Sequence, residues 1–310
     1  MRRCLLAWFA PGVNRLATCC VQLLRSTSSY GTLAPVVAAF MSWLRWTNYN
    51  LISSKSKLHE EAVSTYTRSL LAAKVRLNIR ISFDAGNVLP ADVLILRGSD
   101  VRVSMCISDV SDMRGIAALA TLQGLSRGWA WIYGGGSLPD VLTDAEDGWM
   151  HVAPTSGFWM SSAEFTARRK DKAGWLNSSL PTVEPAPFML HDAANLYDAV
   201  YLFARAADAL LRQGTALNYR GALLKELKNT TFVGLSGRVT LDPQGERVEQ
   251  LGIMNFAVRG KSHCRSAANC SGIVGLYDRQ LEIFVPNLRY QPMWPGGTAD
   301  PPSGLCPNQP

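Results

Sequence analysis

Few groups in this sequence stand at spacings that do chemistry. Gly124-Leu-Ser126-Arg-Gly128 has the G-x-S-x-G spacing of a nucleophile elbow. That motif works when a strand leads into the serine and a helix leads away, so that the hydroxyl stands on a sharp turn. Here the order is reversed: a helical repeat precedes Ser126 and a strand-like run follows, and the two glycines suit a helix end. Gly134-Gly135-Gly136 does not make a dinucleotide loop, because Pro139 stands where the third glycine is needed. His59, His151, His191 and His263 show no paired metal spacing and read as surface or loop residues. Asp198 falls within a helical segment and reads as a local hydrogen-bond acceptor. No carboxylate pair has a recognisable acid–base spacing. The sequence therefore assigns no catalytic residue, no metal and no cofactor, and points away from an enzyme.

Polar residues do gather at the ends of expected strands. These are Ser53-Ser54-Lys55, Ser108-Asp109 and Gly134-Gly135-Gly136-Ser137. In open α/β sheets ligands bind beyond the carboxyl ends of strands, where hydroxyls, charges and bare amides can hold a polar molecule. Ser53, Ser54, Ser108, Asp109 and Gly135 are the ligand-binding candidates; ordinary loop chemistry is the competing account.

The elements that must position these ends are legible as periodicities. Leu58, Ala62, Tyr66 and Leu70 recur every four residues, with Val63 and Leu71 widening the stripe, which makes one apolar face of a helix. Val75, Leu77, Ile79, Ile81 and Phe83 alternate with polar residues, as a strand with one wet face does. Strands are expected at about 46–53, 75–83, 101–107 and 129–133, with helices at 35–44, 91–96 and 112–125. Ile116, Leu119 and Leu122 are expected to face inward from the last of these. This β-α-β alternation argues α/β: a mostly parallel sheet with helices on both faces. Gly134 to Pro187 reads as loop-rich, with Pro181, Pro185 and Pro187 marking a crossover. Asp192 should cap a helix to Leu211 that buries Leu196, Val200, Phe203, Ala207 and Leu210. A second helix is expected at 219–227. Antiparallel strands should follow: 237–241 and 250–256 joined by the Asp242-Pro-Gln-Gly245 turn, then 272–277 and 280–284. The Pro- and Gly-rich tail from Pro286 reads as a linker.

Composition narrows the class. Of 310 residues, 47% are apolar and 18% charged, which suits a packed globular chain. The net charge of +7 comes from scattered basic residues without interleaved aromatics, which argues against a nucleic-acid groove. None of the seven cysteines forms a CxxC pair. Cys264 and Cys270 flank a short polar segment; they are either a loop disulfide in an oxidising compartment or two thiols. Asn177, Asn229 and Asn269 open glycosylation sequons. Met1-Arg2-Arg3 and the apolar run after it imitate a signal peptide, but Pro11 and Arg15 interrupt early. No apolar run reaches the roughly 18 residues of a spanning helix.

One ordered set of motifs is more specific. Trp46 opens a strand after an amphipathic helix; then come Tyr197-Asp198-Ala199-Val200-Tyr201 and Phe232-Val-Gly234-Leu-Ser-Gly237-Arg-Val. Asn255-Phe256, Val274-Gly275-Leu-Tyr277-Asp278 and Trp294-Pro295-Gly296-Gly297 follow in the same order. Together, over about residues 25 to 297, they resemble the receptor-family ligand-binding region of the type I periplasmic-binding fold. That family holds natriuretic-peptide receptors, ionotropic glutamate receptors, and GABA-B and metabotropic glutamate-type receptors.

The resemblance implies the extracellular sensor region of a membrane receptor. Such a region closes two lobes on a small-molecule ligand and pairs as a homo- or heterodimer, with no nucleic acid and with the membrane reached only through a span outside this sequence. Arg25-Ser-Thr-Ser28 resembles the end of the lobe 1 sheet, so the resemblance implies that most of lobe 1 lies outside this sequence. Residues 1–45 would then be a remnant of lobe 1 and a crossover, 46–150 a lobe 2 unit, and 151–230 a crossover with return helices. Residues 231–285 would be closing strands of lobe 2 and 286–310 a linker. Members that bind amino acids carry Tyr-Gly soon after the first lobe 2 strand and an Asp after the fourth. Spacing puts Leu58-His59 and Gly135 at those places. No ligand contact is therefore carried over from the family. A fragment without binding of its own is the alternative, and a soluble α/β hydrolase the remaining one.

Overall fold

The computed structural model describes residues 29–135, 142–155, 189–216, 220–257 and 271–302. The chain divides into two compact units, residues 1–29 with 154–250 and residues 30–153 with 251–310, and passes between them three times.

The larger unit, 30–153 with 251–310, is built on apolar alternation. Strands β1 (Asn48–Ser54), β2 (Arg76–Phe83), β3 (Val103–Ile107), β4 (Ala130–Tyr133) and β5 (Met150–Pro154) lie side by side in the order β2-β1-β3-β4-β5, all parallel. Helices α1 (Tyr30–Trp43) and α2 (Lys57–Ala72) cover one face. There Phe40, Met41, Ala62, Tyr66 and Leu70 meet Leu51, Met105 and Ile132. Helices α3 (Pro90–Leu94) and α4 (Val110–Leu122) cover the other, where Val93, Met113, Ile116 and Ala117 meet Ile52, Cys106 and Trp131. Both faces being covered explains why β1, β3 and β4 are buried along their length, as central parallel strands are. The α/β sheet expected from periodicity is the observed one.

Several local expectations change. α1 begins at Tyr30, so Pro35 sits inside the helix instead of in its first turn. The lost backbone bond is offset by burial of Leu33, Val36, Val37, Phe40 and Met41. In α4, Leu122 is exposed and the buried face is Met113, Ile116, Ala117 and Ala120. β5 falls within the stretch read as loop: Met150, His151, Val152 and Ala153 are all buried, and the histidine hid an otherwise apolar run.

The sheet continues with three antiparallel strands, β8 (Leu251–Phe256), β9 (Ser271–Asp278) and β10 (Ile283–Pro286). β8 sits between β5 and β9. It is buried at every position, which suits a central strand and not one arm of a surface hairpin. Residues 287–302 fold back on this unit instead of running free. Trp294 packs edge-on against Trp46 at 5.6 Å, and the Trp46 indole N–H donates to Pro302 O at 3.0 Å.

The smaller unit holds α5 (Met189–Arg212), α6 (Arg220–Asn229) and a two-stranded sheet of β6 (Phe232–Val233) and β7 (Arg238–Val239). The 237–241 segment therefore pairs with 232–233 and stays out of the main sheet. The Asp242–Gly245 turn forms as expected: Gly245 N–H donates to Asp242 O, and Val248 N–H to Thr240 O. Leu202, Ala206, Leu227, Phe232, Val239 and Leu241 make this unit's core. Asp192 lies within α5 and not at its cap.

The face of α5 also differs from the expected one. Leu196, Val200 and Phe203 are exposed, whereas Ala207 and Leu210 are buried with Ala194, Asn195, Asp198, Leu202 and Ala206. Polar anchors turn the helix. Asp198 accepts the N–H groups of Leu235 and Ser236, and Asn195 accepts the Arg247 guanidinium at 2.6 Å. The apolar stripe of Leu196, Val200 and Phe203 is left uncovered in this unit, and the face that packs is set by the polar anchors.

Candidate functional site

The carboxyl ends of β1 and β3 place Ser54 and Ser108-Asp109 at one edge of the larger unit. Alternation along β1 sends Ser53 and Ser54 to opposite faces of the sheet. Both are fully buried. Ser53 Oγ has no hydrogen-bond partner among the described residues. Lys55 leaves the sheet with its N–H on Phe83 O at 2.8 Å and pairs with Asp84 at 3.2 Å, both side chains being exposed.

Ser56 then caps α2, its hydroxyl accepting the His59 N–H at 3.1 Å. The cap fixes the first helical turn and so points the His59 ring back at β1. Its Nδ1 lies 2.5 Å from Ser54 Oγ and 2.7 Å from Ser56 Oγ. Its Nε2 lies 3.7 Å from Asp109 Oδ1. A carboxylate only accepts, so the Asp109 charge favours the neutral ring's proton on Nε2. The single lone pair of Nδ1 then accepts from the buried Ser54 hydroxyl, with Ser56 Oγ beside it. Burial lowers the His59 pKa below its usual value, while Asp109 and Asp112 pull the other way. His59 is thus neither a surface nor a loop residue: it is buried at the junction of β1, α2 and the start of α4. The sequence carried one signal for it, the Ser-x-x-His spacing of the cap.

Asp109 precedes α4 at its N-cap position and is largely exposed. Asp112, in the first turn, is buried and accepts the Gly86 N–H at 2.9 Å. Burial raises its pKa; the Gly86 hydrogen bond lowers it, Asp109 raises it and His59 lowers it. Ser108 is tied down on both sides. Its hydroxyl donates to Asp109 O at 3.1 Å and meets Cys106 Sγ at 3.3 Å, and its carbonyl accepts the Tyr133 hydroxyl at 3.0 Å. Burial pushes the Cys106 thiol up to about 12, so it is no nucleophile.

The glycines after β4 serve close packing. Gly134 N–H donates to Cys106 O and its carbonyl accepts from Tyr66 at 3.3 Å, so the peptide is already engaged. A Cβ on Gly135 would stand 2.1 Å from the Tyr133 hydroxyl oxygen. Gly136 and Ser137 lie outside the described residues. His151, also expected on the surface, is buried in β5 between Tyr133 and Phe256.

Of the candidates, Ser54 and Asp109 are brought together, with His59 between them. Ser108 and Gly135 hold the neighbouring strand ends, and Ser53 faces the other way. Ser54, His59 and Asp109 are the residue types of a hydrolytic triad, but Ser54 is fully enclosed and offers no route for a substrate. Ser126 closes the turn after α4, 3.2 Å from Thr121 Oγ1, with helix before and strand after, so the elbow geometry is lacking. Among the described residues no cluster of His, Cys, Asp and Glu could hold a metal. Asn229 ends α6 and is exposed; Asn177, Asn269, Cys264 and Cys270 lie outside the described residues.

Comparison with known proteins agrees with the architecture. The receptor family ligand binding region matches residues 17–258. The chain is 23% identical over 305 residues to the bovine (Bos taurus) atrial natriuretic peptide receptor 3, covering 91% of this chain and 54% of that protein. The chain thus spans about half the length of the curated relative it matches. A match over most of the sequence, on an α/β sheet of the order described, places this chain in the receptor family ligand-binding region family.

Proposed function

We propose that this chain is the extracellular ligand-binding region of a membrane receptor, and that a polar ligand is held at the carboxyl ends of β1 and β3. The observation that carries the reading is the family match over 17–258, read with the polar edge on which Ser54, Asp109 and His59 meet. Ligands of open α/β sheets sit at that end of the strands. Asp109 is an exposed charge there, beside the Lys55–Asp84 pair, and Ser54 the hydroxyl that orients its neighbour. Signal output would be a hinge motion between two lobes, biased by contacts that differ between open and closed states. Asn229, exposed at a helix end, is the described sequon able to carry a glycan in that setting.

A small polar molecule is the first ligand class to test, other than an amino acid, since Leu58-His59 and Gly135 stand where the amino-acid-binding members have Tyr-Gly and Asp. Calorimetry with the intact chain should show binding that weakens tenfold or more in Asp109→Asn, about 1.4 kcal/mol or beyond. Binding that is equally tight in Asp109→Asn and Ser54→Ala would move the site elsewhere. A peptide ligand is the second reading, favoured by the relative, whose name specifies a natriuretic peptide. Titration with atrial natriuretic peptide itself decides between them.

A further inference from the structure

We propose that His59 is a proton-operated switch, whose protonation reverses the hydrogen bond holding the β1–α2 turn and so reshapes the edge formed by Ser54, Ser56 and Asp109. In the neutral state the single lone pair of Nδ1 accepts from the buried Ser54 hydroxyl at 2.5 Å, with Ser56 Oγ beside it at 2.7 Å. A protonated ring has N–H groups on both nitrogens and accepts nothing. The Ser54 hydroxyl must then turn and accept, and its hydrogen needs a new partner. Ser56 Oγ already accepts the His59 N–H as the α2 cap, and Ser54 is fully buried. An unpaired hydroxyl in that position is costly, so the turn has to move.

The charges around the ring favour the same event. Asp109 and Asp112 face it from the start of α4. Of the neighbouring charges, Lys55 pairs with Asp84 and Glu60 of α2 with Arg80 of β2 at 2.6 Å, while Lys57 stands exposed in the first turn of α2. A cationic imidazole is therefore drawn towards Asp109, away from Ser54. The turn carries Lys55 and begins α2, so one proton reaches both the sheet edge and the helix start. The consequence for a ligand rests on the proposed site, but the switch does not, and its test needs no ligand.

The test is an NMR titration of the full chain from pH 7.5 to 4.5, with labelled histidine rings and backbone amides. The wild type should show a His59 midpoint below the usual histidine value, with the Lys55–Leu58 amides shifting at that same midpoint. His59→Gln should abolish those amide shifts. Asp109→Asn, at an exposed position, should carry ring and amides together to a midpoint lower by a few tenths of a unit, since a partly screened opposite charge has been removed. Ring titration without amide movement overturns the proposal, as do amide shifts that persist unchanged in His59→Gln. Should that variant not fold, an amide midpoint unmoved in Asp109→Asn overturns it equally.

Discussion

Asp198 and Ser236 are joined twice: one carboxylate oxygen lies 2.9 Å from the Ser236 amide nitrogen and also accepts the Ser236 hydroxyl. The other oxygen accepts the Leu235 N–H at 2.6 Å. All three residues are buried, so the α5 carboxylate does for the β6–β7 turn what a cap does for a helix. The turn is also fitted to it: a Cβ on Gly234 would come 2.0 Å from Asp198 Oδ1.

Asp198→Ala should therefore cost about 2–4 kcal/mol, because three buried donors lose a charged acceptor. Gly234→Ala should damage the same turn by steric means. Hydrogen exchange of the Leu235–Val239 amides is the suitable measure, since it reports this unit without assuming that the whole chain unfolds in one step. Exchange as slow in Asp198→Ala as in the wild type would contradict the account.

The exposed stripe of α5 gives a paired prediction. Leu202 is buried in the small core, while Val200 is about half exposed (54%). Leu202→Ala should cost about 2–4 kcal/mol and Val200→Ser within about 0.5 kcal/mol. The reverse order would restore the face expected from apolar periodicity. That expectation shows where sequence reading stops. The strands and helices from 46 to 133 were legible because each carries a local pattern: alternation in β2, apolar runs in β3 and β4, and four-residue spacing in α2. The inward face of α4 was not legible. The face of α5 is decided by Asp198 and Asn195 reaching residues 37 and 52 positions away. His59 was missed for the same reason: its partner Asp109 sits at the end of another strand. Ser54 and Asp109 could be named because topology alone brings strand ends to one edge.

Gly135→Ala tests the close approach after β4. The added carbon would meet the Tyr133 hydroxyl oxygen at 2.1 Å and ring carbons at 2.2 and 2.5 Å. Tyr133 would have to move and give up its hydrogen bond to Ser108 O. A loss of about 1–3 kcal/mol is expected, of the size overpacking causes. Tyr133→Phe should not rescue it, since the ring carbons remain in the way. Full rescue in the urea midpoint of the double variant would mean that the hydroxyl alone sets the limit.

Beside His59, whose pKa burial also lowers, His151 supplies one part of the pH dependence of stability. Its Nδ1 lies 3.1 Å from Tyr133 O, and a carbonyl only accepts, so the buried neutral ring carries its proton on Nδ1. Burial brings its pKa down from 6.5 to about 4, against a smaller upward pull from the Tyr133 carbonyl. Above the unfolded value both states are neutral and His151 adds no pH dependence. As pH falls below 6.5 the unfolded chain takes up a proton that the folded chain refuses, and stability declines until the folded ring also titrates near 4. The loss over that window is about 3 kcal/mol, at 1.36 kcal/mol per pH unit. His151→Phe keeps a flat ring between Tyr133 and Phe256 and cannot ionise. Its urea midpoint should change much less between pH 7 and 4.5 than that of the wild type. Equal changes in the two proteins would place the acid sensitivity of this fold in other groups.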